Sequence, residues 1–166
     1  MTARSGPLNK SAYTFAVGLI SSHVTQPMAA VMVAGMTPPI GLALATVLFR
    51  NRWLPQEQEA GRPAWVLGLS FITEGAIPFA ARDPVRVIPA LVAGSATAGA
   101  ISMGFGTGMI VPHGGVFNLF VPHAIDGVAG WLVGLVAGAL VTAAVLFFTK
   151  RPLVEAAEAD ALAAAA

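Results

Sequence analysis

The chain has 166 residues, of which 56% are hydrophobic and only 10% are charged, and its mean hydropathy is +0.76. Because roughly a quarter of the residues in soluble globular proteins are charged, this composition predicts an integral membrane protein. The net charge of +1 gives no strong attraction to nucleic acid. The chain has no cysteine, which excludes disulfides, thiolate metal sites and a phosphocysteine of its own. Its three histidines lack metal-ligand spacing with carboxylates, so we expect neither a metal nor a cofactor.

The first third of the chain predicts a short arm followed by one membrane span. The apolar run at residues 12–20 is too short to cross a hydrocarbon core of about 30 Å, so we expect a re-entrant arm or a half-helix. Residues 28–49 are long enough to span. Pro38 and Pro39 fall in the middle of this run and lack N–H donors, so the span is predicted to be kinked.

The remaining segments predict a polar loop, two further spans and a tail. Residues 50–63 read as a surface loop, whose three arginines place it on the cytoplasmic side by the positive-inside rule. Residues 87–111 predict a span rich in small residues, which allow close helix packing in lipid. Residues 112–127 are irregular, and residues 128–148 predict the most apolar span. Residues 1–154 are expected to form one membrane domain, and residues 155–166 an alanine-rich tail that is frayed or disordered.

The apolar run at residues 64–81 contains the strongest functional signal. It holds a lone carboxylate, Glu74, and a carboxylate in a membrane segment is by default a hypothesis of a functional site. Gly75 and Pro78 would interrupt a continuous helix, and bilayers tolerate broken backbone mainly where it lines a polar cavity. A structural alternative is that Glu74 pairs with Arg82 or Arg86 and only holds a hairpin together.

The distribution of basic residues favours re-entry of this run over a full crossing. If residues 64–81 crossed the membrane, the basic residues that follow them, and those that follow the last span, would lie opposite the cytoplasmic loop. If the run enters and returns, every basic cluster lies on one side. An extra crossing within residues 112–127 would also restore this parity. The sequence thus predicts an all-α polytopic membrane protein with broken helices and a re-entrant hairpin.

Other polar residues are weaker candidates. His113 and Gly114, in the sequence PHGG, would present an imidazole and a flexible backbone to a solute, although a lone histidine in a loop is more often structural. Asn9 precedes the short arm and would line a polar cavity. Arg82 and Arg86 would face a phosphorylated partner or product, or alternatively form a solvated turn in which Pro84 opens the next helix.

The sequence GLSFITEGAIPFAARDPVRVIP, followed by PHGG, resembles the C-terminal half of the fructose-specific enzyme IIC (EIIC) permeases of the bacterial phosphotransferase system (PTS). The resemblance continues upstream through GPLNKSAYTF, PMAAVMVAGMTPPIGLALAT and LFRNRW, and covers roughly residues 6–150. Its most specific part, ITEGAIPFA, is similar to the ITEP motif of the wider superfamily of glucose, mannitol and lactose permeases.

The resemblance implies a multi-pass protein of the bacterial cytoplasmic membrane that binds fructose or a related sugar. An EIIB partner would phosphorylate the sugar from a phosphocysteine. The motif glutamate of the superfamily lies in a re-entrant hairpin at the sugar site, which transfers to Glu74, with Thr73 and Gly75 beside it. An Asn-His pair of related permeases matches Asn9-Lys10, so only the asparagine role carries over. His113 and Gly114 match the family's PHGG.

The chain departs from that family in length. Full-length permeases of this type are roughly twice as long, and the N-terminal half that they contain supplies most contacts of their homodimers. We recognise no EIIB or EIIA domain within these 166 residues. The sequence therefore leaves three hypotheses: a PTS sugar permease subunit, a truncated or split remnant that does not transport, and a proton-coupled secondary transporter in which Glu74 carries the proton.

Overall fold

The computed structural model describes residues 7–153 and the side chains of residues 10–153, so the predicted alanine-rich tail lies outside the described residues. This part of the chain folds into six α-helices: α1 (Pro7–Ile20), α2 (Gln26–Leu48), α3 (Pro55–Leu69), α4 (Ile77–Arg82), α5 (Pro84–Gly104) and α6 (Val128–Thr149). Two strands of two residues, β1 (Gly108–Met109) and β2 (Ile125–Asp126), pair antiparallel. Helices α2, α5 and α6 are each long and apolar enough to cross a membrane. The predicted all-α membrane fold is confirmed.

Helix α2 forms the centre of the bundle. It packs against α3, α5 and α6. Within its apolar window 72% of the residues are buried, against 28% in α5 and 39% in α6. Because lipid is as apolar as the protein interior, the outward faces of α5 and α6 need no cover of polar residues. Elements that contact the middle of α2 therefore lie at the core of the bundle, at the depth of the hydrocarbon.

Helices α5 and α6 approach closely through small residues spaced four apart. On α6, Gly130, Gly134 and Gly138 lie on one face, and a Cβ atom at Gly138 would lie 2.7 Å from the Cβ of Ala98 on α5. A Cβ at Gly94 would collide with Thr142. Such spacing lets helix backbones meet in lipid, as the small residues of the span predicted.

Helix α1 contains the apolar run that is predicted to form a re-entrant arm or a half-helix. Its 14 residues measure about 21 Å at 1.5 Å per residue, which is less than the thickness of the hydrocarbon core. It ends in a turn in which His23 has a φ of 61°, and α2 begins three residues later.

The prediction of a surface loop at residues 50–63 is wrong. A short 3₁₀ turn (Arg50–Arg52) leads into α3, which begins at Pro55 and contains Pro63. Proline suits the first turn of a helix, and the carboxylate of Glu57 accepts a hydrogen bond from the backbone N–H of Leu54 at 2.9 Å. The polar residues therefore belong to the start of a helix.

Helix α2 is one continuous helix through Pro38 and Pro39, so the prolines do not break it, while the predicted kink stays a prediction. One helix boundary also differs from the prediction. Helix α5 ends at Gly104 instead of continuing to residue 111. The chain leaves the helix early because residues 108 and 109 pair with residues 126 and 125.

Candidate functional site

Helices α3 and α4 form a hairpin whose two ends lie together. The Arg82 guanidinium, at the end of α4, donates a hydrogen bond to the side-chain carbonyl of Gln56 at the start of α3. Beside this contact, the rings of Trp53 and Phe79 pack edge to face, with their centroids 5.6 Å apart. The chain therefore enters and returns at one end of the bundle, as the charge distribution predicted. The hairpin comprises residues 55–82 and begins nine residues before the predicted run.

The hairpin turns through a segment of non-helical backbone, residues 70–76, which we call the hairpin tip. Helix α3 ends at Leu69, and Phe71 adopts a left-handed conformation with a φ of 63°. The N–H of Ile72 then donates to the Leu67 carbonyl at 2.8 Å. A 3₁₀ turn (Thr73–Ala76) follows and carries the motif residues.

The hairpin tip docks against the two prolines of α2. In an α-helix the N–H of each residue bonds to the carbonyl four residues earlier, so Pro38 and Pro39 leave the carbonyls of Ala34 and Gly35 without helical donors. The hydroxyl of Thr73 donates to Gly35 at 3.2 Å, and the hydroxyl of Ser95 on α5 donates to Ala34 at 2.8 Å. Both freed carbonyls are thus satisfied by neighbouring elements, which explains why α2 continues unbroken.

Gly75 sits where the tip is most crowded. A Cβ atom there would lie 3.2 Å from side-chain atoms of both Leu67 and Pro39. The backbone at Gly75 is buried while the neighbouring side chain of Glu74 is exposed. Close packing on one side of the tip therefore directs the carboxylate away from the core.

Glu74 forms no ion pair with the arginines that follow it. Within residues 10–153, the ion pairs are Arg86 with Asp83 at 3.3 Å and Lys150 with Glu57 at 3.0 Å. This arrangement overturns the alternative in which Glu74 pairs with Arg82 or Arg86 and only holds the hairpin together. The carboxylate is a hydrogen-bond acceptor that remains available to a ligand.

The PHGG segment packs on the hairpin tip. Gly114 and Gly115 have φ values of 113° and 58°, and a Cβ at Gly115 would collide with the Leu69 carbonyl. The His113 imidazole is exposed, and its ring packs edge to face on Phe71 with the centroids 5.8 Å apart. Phe71 therefore joins the two sequence motifs, which are separated by about 40 residues, at one place in the fold.

Helix α1 reaches the same place. The ring of Tyr13 lies 6.3 Å from that of Phe71, measured between centroids. Asn9 lies one turn before Tyr13 in α1, and its side chain is outside the described residues. The predicted site residues Thr73, Glu74 and Gly75 thus lie on the hairpin tip, and His113 and Gly114 belong to the segment packed on it. The helix that carries Asn9 approaches the tip through Tyr13.

Arg82 and Arg86 lie at the other end of the hairpin, away from the tip. Both side chains are exposed. Asp83 accepts a hydrogen bond from the Arg86 backbone N–H at 3.3 Å, and Pro84 is the first residue of α5. This capped turn is the structural alternative that the sequence allowed, and it leaves the exposed face of both guanidinium groups available.

Two features of this region were missed from the sequence. Phe71 is central to the site, but no local pattern signals a left-handed phenylalanine. The buried pair of Glu57 and Lys150 was also missed, although Pro55 followed by a glutamate two residues later is a helix-start signal that would have placed Glu57 on a helix.

The fold and this site define a multi-pass, all-α membrane protein with a re-entrant hairpin that presents a carboxylate and an imidazole beside a proline-containing span. Groups of this kind exchange hydrogen bonds with a polar, uncharged solute. The comparisons with known proteins then identify the chain more closely. It is a homologue of the fructose-specific EIIB'BC and EIIC components of the PTS, as the resemblance predicted.

The relatives match most of this chain at high identity. The PTS system fructose-specific EIIB'BC component of Rhodobacter capsulatus is 57% identical over 148 residues, which are 89% of this chain and 26% of that protein. The component of the same name from Escherichia coli K12 is 52% identical over 165 residues, 99% of this chain and 28% of that protein. The fructose permease IIC component of Bacillus amyloliquefaciens is 46% identical over 151 residues, 90% of this chain and 48% of that protein.

This chain therefore spans between about a quarter and a half of the length of these relatives. Neither a family model nor a solved structure matches it.

Proposed function

We propose that the chain forms the sugar-binding part of an EIIC permease, in which the hairpin tip holds fructose or a related sugar. The observation that carries the proposal is the position of Glu74. Its carboxylate is exposed and makes no ion pair among the described side chains, yet its backbone is anchored to the middle of the central span through Thr73. A carboxylate kept at this depth without a protein partner suits a polar ligand.

The sugar hydroxyls would donate hydrogen bonds to Glu74, and such bonds to an ionised acceptor are the strong ones. His113 would donate from one ring nitrogen and accept at the other. Gly75 and Gly114 expose backbone, and Asn9 would add an amide from α1. The rings of Phe71 and Tyr13 would cover the apolar face of the sugar.

Phosphorylation would follow at the end of the bundle where the hairpin begins. In this proposal the phosphoryl group leaves the sulfur of an EIIB phosphocysteine and bonds to a hydroxyl oxygen of the sugar. The proton of that hydroxyl is released. This chain has no cysteine and carries no phosphoryl group itself. Arg82 and Arg86 would face EIIB on the cytoplasmic side of a bacterial inner membrane, and the complete permease would be a homodimer.

The test is phosphorylation of fructose that depends on phosphoenolpyruvate, measured in membranes that contain the chain. Soluble PTS proteins and a fructose-type EIIB are supplied. We expect activity in the wild type, a loss of at least about tenfold in Glu74→Gln, and little change in Glu59→Gln. Glu59 is a matched control because it is an exposed carboxylate on α3, near the opposite end of the hairpin from the tip.

Three results would contradict the proposal. Equal activity in Glu74→Gln removes this carboxylate from the site. Uptake that ignores phosphoenolpyruvate but collapses with the proton gradient indicates proton coupling. Absence of activity from inserted, folded protein that also fails to bind fructose indicates a remnant without transport function.

A further inference from the structure

A cavity of about 130 Å³ lies between the end of α2 and the first half of α3, away from the hairpin tip. It belongs to neither the proposed sugar site nor the turn that carries Arg82 and Arg86. Its lining consists of Thr46, Val47, Arg50, Gln58, Gly61, Arg62 and Trp65.

The charge of this cavity is positive. Among the residues that the structure describes, Arg50 and Arg62 are the charged lining residues of the cavity, and no carboxylate lines it. Neither arginine takes part in the ion pairs found among the described side chains. The buried carboxylate of Glu57, which precedes the lining residue Gln58, is bonded through both oxygens to the Lys150 ammonium, at 3.0 and 3.1 Å. Two arginines that form no ion pair with any side chain of residues 10–153 therefore line one cavity.

The walls of the cavity are fixed by specific contacts. The side-chain amide of Gln58 donates to the carbonyls of Arg50 at 3.0 Å and Trp53 at 2.9 Å, which ties α3 to the turn after α2. Gly61 lies so close to the buried Thr46 that a Cβ there would collide with the threonine hydroxyl. The 3₁₀ turn that carries Arg50 and the helix that carries Arg62 are thus bonded to one another beside the cavity.

We propose that this cavity binds a phosphate group and that its occupant is the phosphate of an anionic phospholipid. Paired guanidinium groups suit phosphate oxygens because each can donate two parallel hydrogen bonds. Val47 and Leu48, beside the cavity, are 53% and 55% exposed and offer an apolar surface to an acyl chain. Trp65 also lines the cavity, and arginine and tryptophan side chains are typical of the membrane interface. A soluble phosphate would accept the same hydrogen bonds from the two arginines.

The test measures binding to the full chain in neutral detergent by native mass spectrometry and by titration. The probes are phosphatidylglycerol, inorganic phosphate and a hexose phosphate. Variants are Arg50→Gln, Arg62→Gln and the double change. Arg151→Gln is the matched control, because it removes one charge from an exposed residue near the same end of the bundle. Arg50→Lys with Arg62→Lys keeps the charge and checks that a loss of binding does not reflect unfolding.

We expect phosphatidylglycerol to bind about tenfold more weakly in each glutamine variant and with unchanged affinity in Arg151→Gln. The paired lysine variant should bind more tightly than the double glutamine variant. If a soluble phosphate binds more weakly to the glutamine variants but phosphatidylglycerol binds equally to all variants, the cavity is a phosphate site whose occupant is not the lipid. Equal binding of every probe by all variants would overturn the proposal.

Discussion

At the scale of single residues, two carboxylates of one hairpin illustrate how environment assigns different roles. The Glu57 side chain is 5% exposed and its carboxylate bonds to the Lys150 ammonium. The same ammonium lies 3.7 Å from the centroid of the Trp53 ring. Glu74 is exposed and has no such partner among the described side chains. A buried charge is tolerated only with a counter-charge and hydrogen bonds, so Glu57 is committed to structure. Glu74 remains available for a ligand.

Replacing Lys150 tests this structural role. Lys150→Met should lower the free energy of unfolding by about 3 kcal/mol, because Glu57 is left buried without its partner. Unfolding in a mixed detergent titration measures the loss. Arg151→Met is the control, because Arg151 follows Lys150 in the sequence but its side chain is exposed. Adding Glu57→Gln to Lys150→Met should recover part of the stability, and equal stability of Lys150→Met and wild type would show that the pair contributes nothing.

Gly115 offers a second test at this scale, directed at the site. Gly115→Ala should displace PHGG from the hairpin tip and weaken fructose binding, because the added Cβ collides with the Leu69 carbonyl. Gly106→Ala is the matched control. An alanine at its φ of 65° carries about the same backbone strain as one at Gly115, about 1 kcal/mol, but its Cβ meets nothing within 4 Å. Binding measured by isothermal titration should fall only in the first variant, and parallel losses in both would contradict the docking of PHGG.

At the scale of elements, the hairpin tip and α2 depend on one another. The prolines of α2 free two backbone carbonyls, and an unsatisfied carbonyl in lipid is costly. Thr73 on the tip and Ser95 on α5 supply the missing donors. The prolines therefore fix the depth at which the re-entrant hairpin docks, and with it the depth of Glu74.

Removing one of these donors should loosen the tip. Thr73→Val leaves the Gly35 carbonyl without its hydroxyl donor and should cost about 1 kcal/mol of stability. The control is Thr97→Val, whose hydroxyl bonds at 2.8 Å to Ala93 within its own helix. Hydrogen exchange should rise in residues 70–76 for the first variant alone. Exchange that is unchanged there would mean that the hydroxyl does not anchor the tip.

At the scale of the whole molecule, the basic clusters meet at one end. The Arg52 guanidinium donates to the carbonyls of Phe147 and Lys150. Lys150 pairs with Glu57, and Arg82 bonds to Gln56. Three segments far apart in sequence thus share one end of the bundle. The turn before α2 and the strand pair lie together at the other end of the bundle. There the Met109 N–H donates to the backbone carbonyl of Thr25.

This arrangement predicts which residues label from each side of the membrane. The chain has no cysteine, so single cysteines can be introduced without further changes. We expect cysteines at Glu59, Val85 and Arg151 to react from one side, which we propose is cytoplasmic, and cysteines at Ser22 and His123 from the other. Impermeant maleimide applied to intact and inverted vesicles distinguishes the two sides. Labelling of Glu59 and Val85 from opposite sides would contradict the re-entrant hairpin.

Much of this architecture could be predicted from the sequence. Runs of apolar residues locate the spans, and the parity of basic residues predicts re-entry, because both depend on local composition. The start of the helix at residues 55–63 was missed although Pro55 and Glu57 signal it locally. The buried pair of Glu57 and Lys150 could not be predicted, because Lys150 lies far along the chain. The early end of α5 likewise depends on a non-local pairing, of Gly108 and Met109 with Asp126 and Ile125. The position of PHGG depends on Phe71, whose left-handed backbone has no local signature.

The sugar site at the hairpin tip is tested most directly by equilibrium binding of fructose to the purified chain, compared between wild type, Glu74→Gln and Glu59→Gln. We expect Glu74→Gln to bind about tenfold more weakly, because a charge-assisted hydrogen bond to the sugar is lost, and Glu59→Gln to bind like wild type. Equal affinity in Glu74→Gln, or no binding by folded wild-type chain, would contradict the assignment of the hairpin tip as the sugar site.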